Sequence, residues 1–466
     1  MNKYRKLAGN TLIFAIGSFS SKILSFLLIR LYTGVLGTEE YGIAETIFQT
    51  VNLIYPVVSI CMADAIIRYA MDKGYDSKKV YSTAIFASTA GLAFFAVLSP
   101  TLNLIDIFAD YSFLIFACCY FSTFRQIAWS FVRAKGYVKL FAFDGIVATL
   151  NTVLFNVLLL KVVNLGITGY ILSTIFADAI SFIGLTLIGQ LHKSIDMKYF
   201  SVKLLKEMVR YSIPLIPTYV LWWVISSSDR WFVIAMVGKY DNGIYAASYK
   251  LPGLLVMVTT LFYQAWQIST IENKNEKDIS IFYKRIFSAY SSIIFIAAAG
   301  IIMLVKPFTY LLVDDDPVKN YIFSYHYTPI LIIATAFQCL CQFLSQVYNV
   351  HKKSVNSMLT SLAAASVNIV LNFVFIPKWG VYGAAIATAA AYFTCYVIRV
   401  FDSRRYTPFK VAHLKIVLNT LIISAMSYVA ITEPKNSLIY LIIGFIVTFL
   451  YNIDAVIKTI KKILKK

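Results

Sequence analysis

The stretch SSSDRWFVIAMVGKYDNGIYAASYKLPG, Ser226–Gly253, decides the reading of this chain. It runs as an apolar helix carrying Asp229 and Arg230, makes a short polar turn, and returns as a helix carrying Lys250. On the lenient insertion scale a charge at the centre of a membrane helix costs about 2.5–3.5 kcal/mol. Such residues persist where they are paired or where a water-filled cavity receives them. A second copy lies upstream, where Arg30 is followed by Gly37-Thr-Glu-Glu-Tyr-Gly42-Ile43, against Arg230 followed by Gly238-Lys-Tyr-Asp-Asn-Gly243-Ile244. Two related halves, each with charge inside its membrane segments, form the pattern of a transporter.

Of 466 residues, 59% are hydrophobic and 14% charged. Soluble domains carry about 25% charged residues, which excludes a soluble fold. A membrane helix needs about 20 mostly apolar residues. Candidate segments fall near 8–33, 41–66, 80–99, 111–132, 140–160, 166–190, 211–237, 243–269, 286–305, 325–349, 355–376, 380–400, 412–431 and 437–457. The placement of Lys and Arg tests that list independently. Basic clusters at Lys3–Lys6, Arg68–Lys79, Arg133–Lys139, Lys193–Arg210, Lys274–Arg285, Lys352–Lys353, Arg399–Lys415 and Lys458–Lys466 fall on one side, while the alternate loops are lysine-poor. The expected fold is therefore an all-α integral membrane protein of about 14 transmembrane helices with both termini cytoplasmic. The +19 net charge then reflects topology, and no nucleic-acid partner is expected. All six cysteines sit in apolar segments without metal or redox spacing and read as packing residues. The N-terminal MNKYRK and the long run after it lack a cleavage site and read as a retained first span.

The duplication continues. Asn156-Val-Leu-Leu-Leu-Lys-Val-Val-Asn-Leu-Gly166-Ile-Thr-Gly169 recurs as Asn372-Phe-Val-Phe-Ile-Pro-Lys-Trp-Gly380-Val-Tyr-Gly383, with a two-residue gap, and Gln126 corresponds to Gln342. Six spans per repeat is an even number, so both halves insert the same way. That predicts a pseudo-twofold along the membrane normal and a binding site near mid-bilayer. The expected domains are an N-terminal six-helix lobe over 1–191, a cytoplasmic linker over 192–210 with amphipathic character, a C-terminal six-helix lobe over 211–400, and two additional helices with a basic tail over 401–466.

Within the spans the cations are Lys22, Arg30, Arg125, Arg230 and Lys250, and the clear anions Glu45, Asp178 and Asp229. Structural pairing of Arg30 with Glu45 and of Arg230 with Asp229 is one reading. The other starts from the surplus of cations, which suits an anion: an Arg fork matches phosphate oxygens, and Lys acts as a movable point charge. Glu45, Gln49 and Asn52 share one helix face, Lys250, Gly253, Thr260, Gln264 and Gln267 track another, and Gln338, Gln342, Gln346 and Asn349 a third. Such stripes line a wet cavity or join helices by side-chain hydrogen bonds. Glu45, Asp178 and Asp229 are also candidates for binding a counter-ion, H+ or Na+. Asp314-Asp315-Asp316 reads as a solvated turn. No metal-ligand spacing, cofactor motif or nucleophile box is present, so neither metal, cofactor nor covalent catalysis is expected.

The stretches DRWFVIAMVGKYDNGIYAASYKL, KILSFLLIRLYTGVLGTEEYGIAE and NFVFIPKWGVYGAAIAT resemble the Wzx-type flippases, bacterial polysaccharide exporters of the multidrug/oligosaccharidyl-lipid/polysaccharide superfamily. The resemblance spans essentially the whole chain and has no diagnostic catalytic box. It implies translocation of undecaprenyl-pyrophosphate-linked oligosaccharide units (O-antigen, capsule or exopolysaccharide) from the cytoplasmic to the outer leaflet of the bacterial inner membrane by alternating access. It also implies a central cavity lined by cations such as Lys22, Arg30, Arg125, Arg230 and Lys250. The implied partners are membrane lipids, a polysaccharide polymerase and glycosyltransferases. A lipid II-type flippase shares the fold, and an ion-coupled exporter of soluble small molecules is the alternative; the surplus of cations disfavours the acidic cavity of drug exporters. An integral membrane glycosyltransferase lacks a cytoplasmic acidic motif here.

Overall fold

The computed structural model describes residues 28–72, 74–272, 278–314, 316–351 and 353–464. Lys22 lies outside the described residues, as does the side chain of Gln264. The described backbone is all-helical, without a strand. Ten helical stretches are long and apolar enough to cross a membrane, and a bent helix pair makes an eleventh. Contacts divide the chain into two units that meet in sequence at Trp223 and Val224.

The first unit contains α1 (Thr38–Val58), α2 (Met62–Ala70), α3 (Ser77–Leu98), α4 (Ser112–Ala134), α5 (Val138–Asn156), α6 (Gly166–Ile188), α7 (Val202–Ser212) and the start of α8 (Leu215–Met236). α1 and α2 are the bent pair, turned by 52°. Pro56 sits in the last turn of α1, and Ile60 and Cys61 take left-handed backbone, with φ of 52° and 49°. A β-branched residue at positive φ is strained, so the bend is held by its surroundings. Those include Met62, Ile66, Tyr81, Ile127 and Phe131, packed with Leu204 and Met208 of α7. α7 is amphipathic: Leu204 and Met208 are buried while Lys203, Lys206 and Arg210 are exposed. Ser201 Oγ caps it by accepting from Leu204 N at 3.3 Å. The Tyr69 and Tyr75 hydroxyls donate to the backbone and the carboxylate of Glu207, at 3.1 and 2.9 Å. These bonds fasten α7 to α2 and the turn after it.

The second unit holds the rest of α8 with α9 (Lys239–Ser248), α10 (Lys250–Glu272), α11 (Ile279–Met303), α12 (Val305–Leu312), α13 (Ser324–Val350), α14 (Ser354–Trp379), α15 (Val381–Ser403), α16 (His413–Thr432) and α17 (Ser437–Leu464). α13 is its hub, packing on α10, α11, α15 and α16. Trp266 stacks on Phe343 at 4.5 Å and meets Tyr283 edge-on at 4.9 Å, inside a fully buried aromatic cluster. α16 and α17 pack on α11 and on each other, with Asn452 donating to Asn419 Oδ1 at 2.6 Å.

The repeated G-x-x-G has one physical cause in both units. Gly166 and Gly380 each adopt φ of +54°, where a side chain would be strained. Three residues on, a Cβ on Gly169 would lie 3.0 Å from the Leu159 carbonyl, and one on Gly383 would overlap the Phe375 carbonyl. Each glycine pair reverses the chain and lets α6 or α15 pass close against the helical segment before it.

Candidate functional site

In the first unit α4, α5 and α6 meet around a charged cluster. Arg125 Nη1 lies 2.7 Å from Asp178 Oδ1, and Arg125 Nε donates to Ser181 Oγ at 3.1 Å. Ser122 donates to Asp178 Oδ2 at 2.5 Å, and Ser181 passes its own proton to Asp144 Oδ1 at 2.6 Å. Asp178 is buried, whereas a third of the Arg125 side chain remains exposed. Two residues given separate roles above, Arg125 as a head-group cation and Asp178 as an ion-coupling acid, thus form one pair. Nearby helices hold a third acid: buried Glu45 on α1 accepts from the Tyr170 hydroxyl at 2.9 Å. Tyr32 meets the Tyr170 ring edge-on at 4.6 Å. Arg30 and Asn52 are exposed and Gln49 half-buried; the Gln49 carbonyl accepts from the Trp223 indole at 2.6 Å.

In the second unit α8, α9, α14 and α15 enclose Asp229, which is completely buried. Its Oδ2 accepts from Tyr245 at 2.5 Å, Tyr249 at 2.7 Å and Thr388 at 3.0 Å, and its Oδ1 from the Arg230 amide at 3.0 Å. Asn368 Nδ2 reaches Thr388 Oγ1 at 3.4 Å, Ser228 donates to Asn368 Oδ1 at 3.3 Å, and Asn372 donates to the same oxygen at 3.1 Å. Four helices are thereby joined through one carboxylate and a run of neutral donors. Such a site holds a buried negative charge without requiring a cation, because each hydroxyl aims its dipole at it. It also offers several oxygens to a small cation. The Arg230 guanidinium is buried and stands 5.4 Å from the Tyr249 ring centroid. Lys250, at the start of α10, is half-buried, and Gln342 on α13 likewise.

Charge and hydropathy did not single out Tyr245, Tyr249, Thr388 or Asn368. The available signal was their spacing, since Tyr245 and Tyr249, like Asn368 and Asn372, are four residues apart and share a helix face. Arg399, grouped above with cytoplasmic loop cations, is fully buried in α15. It donates to Thr360 Oγ1, the Cys341 carbonyl and Ser361 Oγ, each at 3.0 Å. Its place within the apolar segment 380–400 was the clue. Counting from the paired Gln126 and Gln342, Cys341 stands where Arg125 does, so both units put a guanidinium among the equivalent three helices, launched from different ones.

Each unit holds helices long and apolar enough to cross a membrane with charged side chains in its interior, and solved structures share this fold. Lipid II flippase MurJ in an inward closed conformation matches with a TM-score of 0.69 at 16% identity, covering 97% of this chain and all of that one. An outward-facing multidrug resistance MATE family transporter of the MOP superfamily matches with a TM-score of 0.65 at 13% identity, covering 86% and 95%. The family model of polysaccharide biosynthesis proteins covers residues 7–267, more than half the chain, and the MatE model covers 214–374. The chain belongs to the polysaccharide biosynthesis protein family. A curated Haemophilus influenzae protein of the Lsg locus is 24% identical over 254 residues, 53% of this chain and 61% of that protein. The chain thus spans about three fifths of that curated relative's length.

Proposed function

We propose that this protein is a flippase that carries undecaprenyl-pyrophosphate-linked oligosaccharide units from the cytoplasmic to the outer leaflet of a bacterial inner membrane. The family match over residues 7–267 carries this reading, and the MurJ-like fold supports it. Taking a pyrophosphate and its sugars through bare hydrocarbon strips charges and hydroxyls of water, at tens of kcal/mol for an unpaired ion. A polar, cationic path lowers that barrier, and Lys22, Arg30, Arg125, Arg230 and Lys250 are the proposed lining. Arg125 serves through the exposed third of its side chain, since Asp178 holds the rest of its guanidinium. The cycle is alternating access, with polymerase and glycosyltransferases acting on either side of it.

The test is reconstitution in liposomes with an undecaprenyl-pyrophosphate-linked glycan. Arg30→Gln, Arg230→Gln and Lys250→Gln each lower the translocation rate about tenfold or more in this reading, while a soluble cationic drug is not moved. Unchanged rates in all three variants defeat the head-group role. A second reading, an ion-coupled exporter of soluble molecules, draws on the MatE match over 214–374 and on the buried Asp229 site. Drug transport without glycan-lipid transport in the same liposomes would select it.

A further inference from the structure

A cavity of about 970 Å³ opens in the first unit where the ends of α3, α4, α5 and α6 come together. Lys78, Lys135, Lys139 and Lys193 converge on it, and none of its lining residues is acidic. Two of these lysines are steered by neutral acceptors. Lys135 Nζ donates to Ser77 Oγ at 3.0 Å and Lys193 Nζ to Gln190 Oε1 at 2.9 Å, so both heads are positioned with their charge intact. Phe131, Leu140 and Ile188 contribute an apolar wall. Beside it the chain leaves Phe143, Ile183 and Leu187 exposed along α5 and α6. Cations gathered over a hollow, next to an apolar face, match an amphiphile with a phosphate at one end.

We propose that this cavity binds the phosphate head group of an anionic phospholipid, drawn from the leaflet that the lysine pattern assigns to the cytoplasm. Positive loops alone do not explain the arrangement. The cations of α7, Lys203, Lys206 and Arg210, lie spread along an exposed helix face, whereas these four meet at one hollow. A soluble phosphate would gain nothing from the apolar flank, and the lipid gains from both. Each lysine near an anionic surface contributes on the order of 1 kcal/mol, so neutralising three predicts at least a tenfold loss of affinity.

The experiment is native mass spectrometry of the purified full-length protein titrated with phosphatidylglycerol or phosphatidylcholine. It compares Lys135→Gln/Lys139→Gln/Lys193→Gln with Lys203→Gln/Lys206→Gln/Arg210→Gln, which removes equal charge elsewhere. Phosphatidylglycerol binding is expected to fall at least tenfold in the first variant and less than threefold in the second, with phosphatidylcholine weak throughout. Should the triple variant run as an aggregate, Lys139→Gln/Lys193→Gln carries the same test. Equal losses in both sets, no loss in either, or glycerophosphate binding as tightly as the lipid would overturn the proposal. Undecaprenyl pyrophosphate retained by this cavity in preference to phosphatidylglycerol would also overturn it, identifying a cargo site instead.

Discussion

Asp229 accepts three hydroxyl protons and one amide proton within a fully buried setting, so its neighbours are built around its carboxyl group. If that carboxyl takes up the counter-ion, Asp229→Asn abolishes the response of glycan transport to an imposed Na+ or H+ gradient while the protein still purifies as a folded monodisperse species. Transport that still follows either gradient in this variant removes Asp229 from the coupling role. Tyr249→Phe deletes one of three donors to the same oxygen and costs about 1–3 kcal/mol of stability, read as a lower melting temperature. The Arg125–Asp178 pair answers a related question. Removing one partner leaves a buried charge, so Asp178→Asn lowers stability by up to about 3 kcal/mol, reduced by the water reaching Arg125. Arg125→Leu/Asp178→Leu recovers most of that loss in thermal unfolding if the pair is structural. The sequence displayed both charges and their apolar surroundings. It did not display their meeting, because 53 residues and an intervening helix separate them and hydropathy carries no inter-helix register.

Helices here are positioned by few features at their ends. Gly383 allows α15 to run against the Phe375 carbonyl, and Gly380 supplies the left-handed turn before it. Gly383→Ala forces backbone apart and is expected to destabilise by about 1–3 kcal/mol. Gly145→Ala, in α5 with open space around its Cβ, is expected to be neutral or to stabilise by up to about 1 kcal/mol. Thermal unfolding in detergent separates the two; equal effects would mean the close approach is not what the glycine serves. This motif was the most legible part of the chain, since both copies kept their glycines and spacing to within two residues. The kink between α1 and α2 was not legible as a kink. Pro56 signals a break, but a proline alone leaves open how far the next helix turns. At the other end of the chain, Lys306 Nζ lies 2.7 Å from both oxygens of Glu433. That hydrogen bond holds the Glu433 carboxyl below its ordinary range. A lowered folded value means stabilisation is present at neutral pH and fades as pH falls through it. Because the pair is exposed, Glu433→Gln costs at most about 1 kcal/mol at neutral pH, and the difference from the parent disappears in acid.

The architecture as a whole turns on how many times the chain crosses the bilayer. Ten described helices, or eleven with the bent pair, qualify by length and apolar character. Of the fourteen expected segments, the first lies outside the described residues up to residue 27. The other two that do not qualify are α4, which carries Arg125, Gln126 and Arg133, and α10, some of whose side chains also lie outside them. Both are 23 residues long, about 34 Å as helix, enough to span a core of about 30 Å. Polar residues lower their hydropathy, so a hydropathy scan fails first on the helices that carry the most polar side chains. Single cysteines at exposed positions flanking each helix settle the matter, with the six native cysteines, all buried, giving little background. If α4 and α10 cross, Asn103→Cys and Tyr137→Cys react with an impermeant maleimide from opposite sides of the membrane, and so do Tyr240→Cys and Asp278→Cys. The lysine pattern further assigns Asn103 and Tyr240 to the outside, labelled in intact cells, and Tyr137 and Asp278 to the inside, labelled after permeabilisation. Labelling of both members of a pair from one side would make that helix re-entrant or peripheral and would remove its polar residues from any path across the bilayer. It would also shift the parity of every later loop, so the basic clusters downstream would fall on alternating faces, contrary to the rule that oriented them.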